Sequence, residues 1–190
     1  MFTPLLLLAA LTAPVQASDA ETSITTRPFR LAWPAADLRV ERKRSDTFSV
    51  FGQVTAGRYN PLLVRLFGSA LAAGGVRLEM NTYGGGAGAN YYLQGFDQGW
   101  YGGGSLGYSV QTYAIDMDGD AIEGRLQTVL IAPHAGYKYI GDNGFTFAWE
   151  LGAGYATVFG NTVTAGRSTV KAPADSGVQL TSGLFFGWSF

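Results

Sequence analysis

Residues 177–190 read Gly-Val-Gln-Leu-Thr-Ser-Gly-Leu-Phe-Phe-Gly-Trp-Ser-Phe. Val178, Leu180, Leu184, Phe186, Trp188 and Phe190 fall on one parity. Gln179, Thr181, Gly183, Gly187 and Ser189 fall on the other, and Ser182 and Phe185 are the two exceptions. A period of two marks a strand with one apolar face and one polar or small face. An apolar face that ends in aromatics needs a cover. A protein core supplies it in water; lipid supplies it in a membrane, with the aromatics at headgroup level.

The rest of the chain favours lipid. Its 190 residues make one domain. Net charge is −1, 14% of residues are charged and 47% are hydrophobic, yet no apolar run approaches the ~20 residues of a spanning helix. The apolar content is spread by alternation instead. Gly, at 27 residues, is about twice its usual ~7% share. A near-neutral charge gives no electrostatic footprint for nucleic acid. Residues 1–17 read as a cleaved signal peptide: Leu5 to Leu11 form a short apolar core and Val15-Gln16-Ala17 a small-x-small site, although no Lys or Arg precedes the core. No Cys is present for acylation or a disulfide. Residues 18–190 are the expected barrel domain.

Counting back from Phe190, alternation predicts strands at 145–159, 123–139, 98–114, 78–94, 47–59 and 36–44, with a first strand near 23–33. That makes eight. In residues 78–94, Leu78 and Met80 lie out of phase with Ala89, Tyr91 and Leu93, which predicts a β-bulge at Gly84-Gly85-Gly86. Turns at 42–46, 95–99 and 141–144 fall at one end, and longer connections at 60–77, 115–122 and 160–176 at the other. Single-chain bacterial barrels have an even strand number, short periplasmic turns and longer outer loops. The expected fold is all-β: an eight-stranded, antiparallel, up-and-down transmembrane β-barrel.

A final strand ending in Phe, with aromatics at alternate positions before it, resembles the assembly signal of bacterial outer-membrane barrels. Phe186, Trp188 and Phe190 are its residues here. Asn90-Tyr91-Tyr92-Leu93, Trp100-Tyr101-Gly102-Gly103, Leu106-Gly107-Tyr108, Gly136-Tyr137-Lys138-Tyr139 and Asn143-Gly144-Phe145-Thr146 resemble a family of small, mostly uncharacterised outer-membrane barrels. In architecture that family is similar to OmpA-type and OmpX-type barrels. The likeness covers roughly residues 60–155 and the last strand. It implies a Gram-negative outer-membrane location, contact with lipid and lipopolysaccharide, and handling by the barrel-assembly machinery; it implies no chemistry. The family tends to open with an Asn-Pro-apolar step into a strand, matched here by Asn60-Pro61-Leu62 inside an expected outer loop. That segment also carries Leu62, Leu63, Leu66, Phe67, Ala70 and Leu71 at helical spacing, which leaves open a rim-packed loop, an irregular strand or an interfacial helix.

Eight strands enclose an interior about filled by side chains, so a diffusive pore is not expected. The inward polar set includes Arg39, Glu41, His134, Lys138 and Glu150. Buried charges need partners, which predicts an interior network of Glu150 with Lys138 or Arg39 and with His134 at a similar level. The run Glu41-Arg42-Lys43-Arg44 reads as a solvated turn. His134 and Glu150 could supply two members of a Ser-His-Glu site of the lipid A deacylase kind, but Ala135 and Gly136 stand where that family places Ser. Asp116, Asp118 and Asp120 open like a calcium loop that then fails, with Ala121 at the Gly position and Gln127 at the Glu position. The glycines at 84–88 and 102–104 follow no phosphate-loop spacing. No catalytic residue, cofactor or metal site is therefore expected. The role predicted is that of a monomeric, non-enzymatic structural or surface-interaction protein; a lipid-modifying enzyme and a narrow channel are the alternatives.

Overall fold

A computed structural model describes residues 20–27, 35–59, 76–117, 120–166, 168–171 and 176–190. Its strands are β1 (Thr22–Thr26), β2 (Ala35–Ser45), β3 (Phe48–Tyr59), β4 (Val76–Tyr92), β5 (Gln98–Met117), β6 (Asp120–Ile140), β7 (Phe145–Ala165), β8 (Ser168–Lys171) and β9 (Gly177–Ser189). All ladders are antiparallel. β1 to β7 pair in order, β9 pairs β7, and β9 returns to β1. The ring is closed by eight strands, and β8 is a short addition hairpinned onto the end of β7. Closure leaves no edge in the ring for another chain to extend. At the seam Thr22 N donates to Phe190 O at 2.9 Å and Phe190 N to Thr22 O at 2.9 Å. The last residue thus helps close the ring.

The end holding the turns at 46–47, 93–97 and 141–144 is called the lower end here. At 141–144 Gly144 adopts a φ of +78°, and Asn143 Oδ1 accepts from Phe145 N at 3.0 Å. This is the chemistry of a tight hairpin.

Alternation sorts the side chains as the pleat requires. Outward stand Leu38, Val40, Val54, Tyr83, Tyr91, Leu106, Ile131, Leu151, Tyr155, Val178 and Leu180, the last of them 88% exposed. Inward stand Asp37, Arg39, Glu41, Ser49, Asn90, His134 and Lys138, all buried. Such a barrel is inverted relative to a water-soluble one. Phe185 lies on the inward parity of β9, otherwise polar or small, and its ring turns inward, 2% exposed.

Several expectations need correction. The ladder from β3 through β4 to β5 is continuous across Gly84-Gly85-Gly86, so no bulge sits there. Tyr83 and Tyr91 share the outward parity; Met80 shares that of Gly84 and Asn90, so its phase is inward. Register shifts lie instead between Lys43 and Ser45, and opposite Arg125–Gln127, where β7 carries an extra residue and Gly160 has a φ of +67°. The expected loop at 115–122 is largely ladder: Asp116 pairs Ala121 and Met117 pairs Asp120. The expected loop at 160–176 is partly the β7–β8 hairpin. At Pro133, which has no N–H to donate, β6 stays in register with Gly104 of β5 while its ladder to β7 is interrupted at residues 132 and 133. The signal peptide, the helical-spacing segment within 60–75, Asp118 and the later part of the first predicted strand lie outside the described residues.

Candidate functional site

The lower interior is built around Glu41. Lys138 Nζ donates to Glu41 Oε2 at 3.0 Å and to Ser23 Oγ at 2.9 Å. Glu41 Oε1 accepts from Asn90 Nδ2 at 2.8 Å, from Tyr92 Oη at 2.7 Å, and from Ser49 Oγ. The ammonium of Lys138 also lies 3.4 Å from the centre of the Phe96 ring, a contact in which the ring face attracts a cation. Beneath them Ala20, Tyr92, Phe96, Tyr101 and Ile140 form a closed apolar cluster. The hydroxyls of Ser23 and Thr146 each lie 2.5 Å from that of Ser189.

One level up, Arg39 Nη1 donates to Glu150 Oε2 at 2.9 Å, and Tyr101 Oη donates to the same oxygen at 3.2 Å. The Arg39 guanidinium lies 3.6 Å from the centre of the Phe51 ring and 5.0 Å from that of Phe185. His134 Nε2 is 2.8 Å from Asn90 Oδ1 and 3.6 Å from Glu150 Oε2; its Nδ1 is 3.3 Å from the Ala132 carbonyl. Higher still, Arg27 Nη2 meets Asp37 Oδ2 at 2.5 Å, and Thr55 Oγ1 donates to that carboxylate at 2.7 Å. Three Lys/Arg–carboxylate pairs are therefore stacked inside the wall among the described residues.

Inward glycines make this filling possible. A Cβ on Gly88 would strike the Phe51 ring, one on Gly136 the Tyr101 ring, and one on Gly103 the Asn90 and His134 side chains. Rings from neighbouring strands occupy the space that the glycines leave. The void among Arg39, Glu41, Tyr101, Lys138 and Phe185 is only ≈10 Å³, about the minimum for one water.

Of the four residues singled out from sequence, Arg39 and His134 each reach Glu150. Lys138 is not on Glu150; its partner is Glu41. Glu41 was missed as a hub because the run Glu41–Arg44 reads as solvated. In fact it belongs to β2, with Glu41 buried and Arg42 and Arg44 exposed. Its parity with Arg39 was the available signal. Closer to the turn, Lys43 Nζ lies 2.9 Å from Asp46 Oδ1, and that hydrogen bond holds the exposed Asp46 carboxyl below its ordinary range.

Above Glu150 the interior changes character. Gln53, Thr55, Ser105, Ser109, Gln111 and Thr128 line a cavity of ≈410 Å³ whose floor is Phe51, Arg27 and Glu150. His134 is enclosed below, with its side chain 1% exposed. It faces Asn90 and Glu150, not a serine hydroxyl and not the apolar outer face.

On the lower outer wall, Trp100 packs on Tyr137 and Trp149 at 5.6 and 5.4 Å between ring centres. Phe186 and Trp188 pack on Phe145 at 6.5 and 5.8 Å, and Phe190 is exposed beside them. An upper aromatic level holds Tyr83, and Tyr108 stacked on Phe159 at 6.1 Å.

No protein-family model and no curated protein matches the chain. Among solved structures it aligns with the crystal structure of CarO from Acinetobacter baumannii over 93% of this chain and 100% of that one, at 9% identity and a TM-score of 0.42. That likeness is too distant to bear on the role of this chain. The closed ring is established by its own ladders.

Proposed function

We propose that this chain is an exported, monomeric protein of a bacterial outer membrane, crossing it with the eight strands of its ring and acting without catalysis, as a structural or surface-interaction element. The observation that carries this reading is the inversion of polarity around a closed ring: an exposed apolar wall outside, stacked ion pairs inside. In water the outer wall would be a large aggregation hazard. In lipid it is the solvated face.

The aromatic levels support the same reading. Tyr83 and Tyr91 on β4, and Trp100 and Tyr108 on β5, are each eight residues apart. At about 3.3 Å per residue and a tilt near 40°, that is about 20 Å of height, close to the ~25 Å apolar band of outer-membrane barrels. The lower end is then periplasmic. Phe186, Trp188 and Phe190 lie on the lower rim, where the assembly machinery would read them, and the kinship with small outer-membrane barrels is part of this proposal.

The filled lower interior argues against a channel, because among the described residues the void between Arg39, Glu41, Tyr101, Lys138 and Phe185 is only ≈10 Å³, about the minimum for one water. The enclosed His134 argues against lipid hydrolysis, since an acyl chain on the outer wall does not meet its ring.

The decisive experiment is electrophoresis of the detergent-refolded protein, boiled and unboiled. Faster migration of the unboiled sample is expected from a detergent-resistant barrel. Identical migration, with free solubility in plain buffer, would refute the membrane reading. Planar-bilayer recordings of the same sample should show no discrete conductance steps.

A further inference from the structure

The outer wall does not stay apolar to the top of the long strands. Successive rows of directly paired outward residues cross β4, β5, β6 and β7. The row Ala87–Leu106–Ile131–Tyr155 is apolar throughout. Two rows higher stand Tyr83, Val110, Gln127 and Phe159, with Tyr108 Oη, one row below, donating to Gln127 Oε1 at 2.8 Å. The next row is Asn81–Thr112–Arg125–Thr162, wholly polar. The row above it is Glu79–Ala114–Glu123–Thr164, polar at all but Ala114. The extra residue at Gly160 matters here. Without it Thr162 would take the opposite face to Phe159; the bulge keeps it outward beside Arg125.

These two polar rows line a groove of ≈400 Å³ on the outer wall, a volume within the ~300–1,000 Å³ range of small-molecule sites. We infer that this groove binds the saccharide of the outer-leaflet glycolipid in which the barrel sits. The inference rests on the membrane reading above. Its support is continuity: the same four strands present an apolar belt, then an aromatic level, then a polar groove. That is the order of acyl chain, headgroup junction and sugar in one amphipathic lipid.

The side chains fit hydroxyl groups better than a bare anion. Arg125 donates a fork of N–H groups, Glu79 and Glu123 accept, Asn81 does both, and the Thr hydroxyls serve either way. Ring hydroxyls are themselves donors and acceptors, and so match this mixture. Among the lining residues Glu79 and Glu123 stand beside the single guanidinium of Arg125, a mixture of acceptors and donors and not the cluster of cations that an isolated phosphate calls for.

The test uses the refolded full barrel and compares wild type with the double variant Glu123→Gln/Arg125→Ala. The probes are lipopolysaccharide carrying its core saccharide, lipid A without that saccharide, and the free core oligosaccharide. Wild type should bind the complete glycolipid about tenfold or more tightly than lipid A, the scale expected for loss of hydrogen bonds to charged groups. The double variant should lose that preference while keeping its lipid A binding and its heat-shifted migration. Equal wild-type affinity for the glycolipid with and without saccharide overturns the inference, as does an unchanged preference in the variant. Free oligosaccharide binding as tightly as the whole glycolipid also overturns it, because the occupant would then come from the medium. A wild-type sample whose unboiled form does not run fast would instead fail the membrane reading itself.

Discussion

The lower and upper halves of the barrel interior are made by the same strands on the same parity, yet they are filled in opposite ways. Below Glu150, inward positions carry Arg39, Glu41, His134 and Lys138 with the rings of Phe51, Tyr92, Tyr101 and Phe185. Above it, apart from the Arg27–Asp37 pair, they carry the neutral polar Gln53, Thr55, Ser105, Ser109 and Gln111. The voids differ accordingly, ≈10 Å³ against ≈410 Å³. A closed shell therefore does not dictate its filling. In the lower half every removed partner strands another buried group; in the upper half the space is ample for water to replace what is lost. Substitutions at matched inward positions should grade in cost from bottom to top.

Glu41→Ala should cost most. It leaves the Lys138 ammonium buried without its carboxylate and removes the acceptor of Ser49, Asn90 and Tyr92. Breaking one side of a buried pair typically costs about 3–5 kcal/mol. The urea midpoint of the barrel refolded into lipid vesicles measures it, and an unchanged midpoint would remove the distinction between the halves. Glu150→Gln should cost less, about 1–2 kcal/mol, on the scale of a charged hydrogen bond weakened but not abolished. Glu150 is 16% exposed toward the cavity, an amide oxygen can still accept from Arg39, and Arg39 keeps its place over Phe51. If Glu150→Gln proved costlier than Glu41→Ala, the hub of the plug would lie a level higher than its geometry implies.

The shell was far more legible in the sequence than the plug. Alternation and the Gly-rich turns locate the parts of the strands within the apolar belt, because an apolar outer face and a polar filling inside put opposite chemistry on successive residues. That contrast vanishes where the wall rises above the apolar belt. Thr112, Ala114, Glu123 and Arg125 are outward and mostly polar, so β5 and β6 read as ending in a loop although their ladder continues to Met117 and Asp120. Alternation reports the apolar belt, not the strand. The same limit produced the misplaced bulge: Met80 lies above the belt on the inward parity, and its apolar character mimics a slipped phase. The choice of partner for Lys138 was beyond sequence reading for another reason. It is set across the barrel between β2 and β6, which share no ladder. Phe185 was a visible clue, since an aromatic on the polar parity has to fill something. What it fills, beside Arg39 and Arg27, requires the closed ring.

The smallest effect should come from the upper half. Gln53→Ala and Ser109→Ala remove inward polar side chains from the cavity wall, at positions whose neighbours are other hydroxyls and amides. No charge is stranded and no ring loses its seat, so each should shift stability by no more than about 0.5 kcal/mol, the range of substitutions away from such features. The urea midpoint again measures it, with Glu150→Gln as the yardstick in the same vesicles. A loss matching that of Glu150→Gln would mean that the cavity wall belongs to the plug's network, and that the upper interior is structural like the lower one. A null effect would leave Gln53, Ser109 and their neighbours free of any stabilising duty. The cavity could then change its lining without endangering the barrel, which is the physical condition for one end of the interior to vary while the other stays fixed.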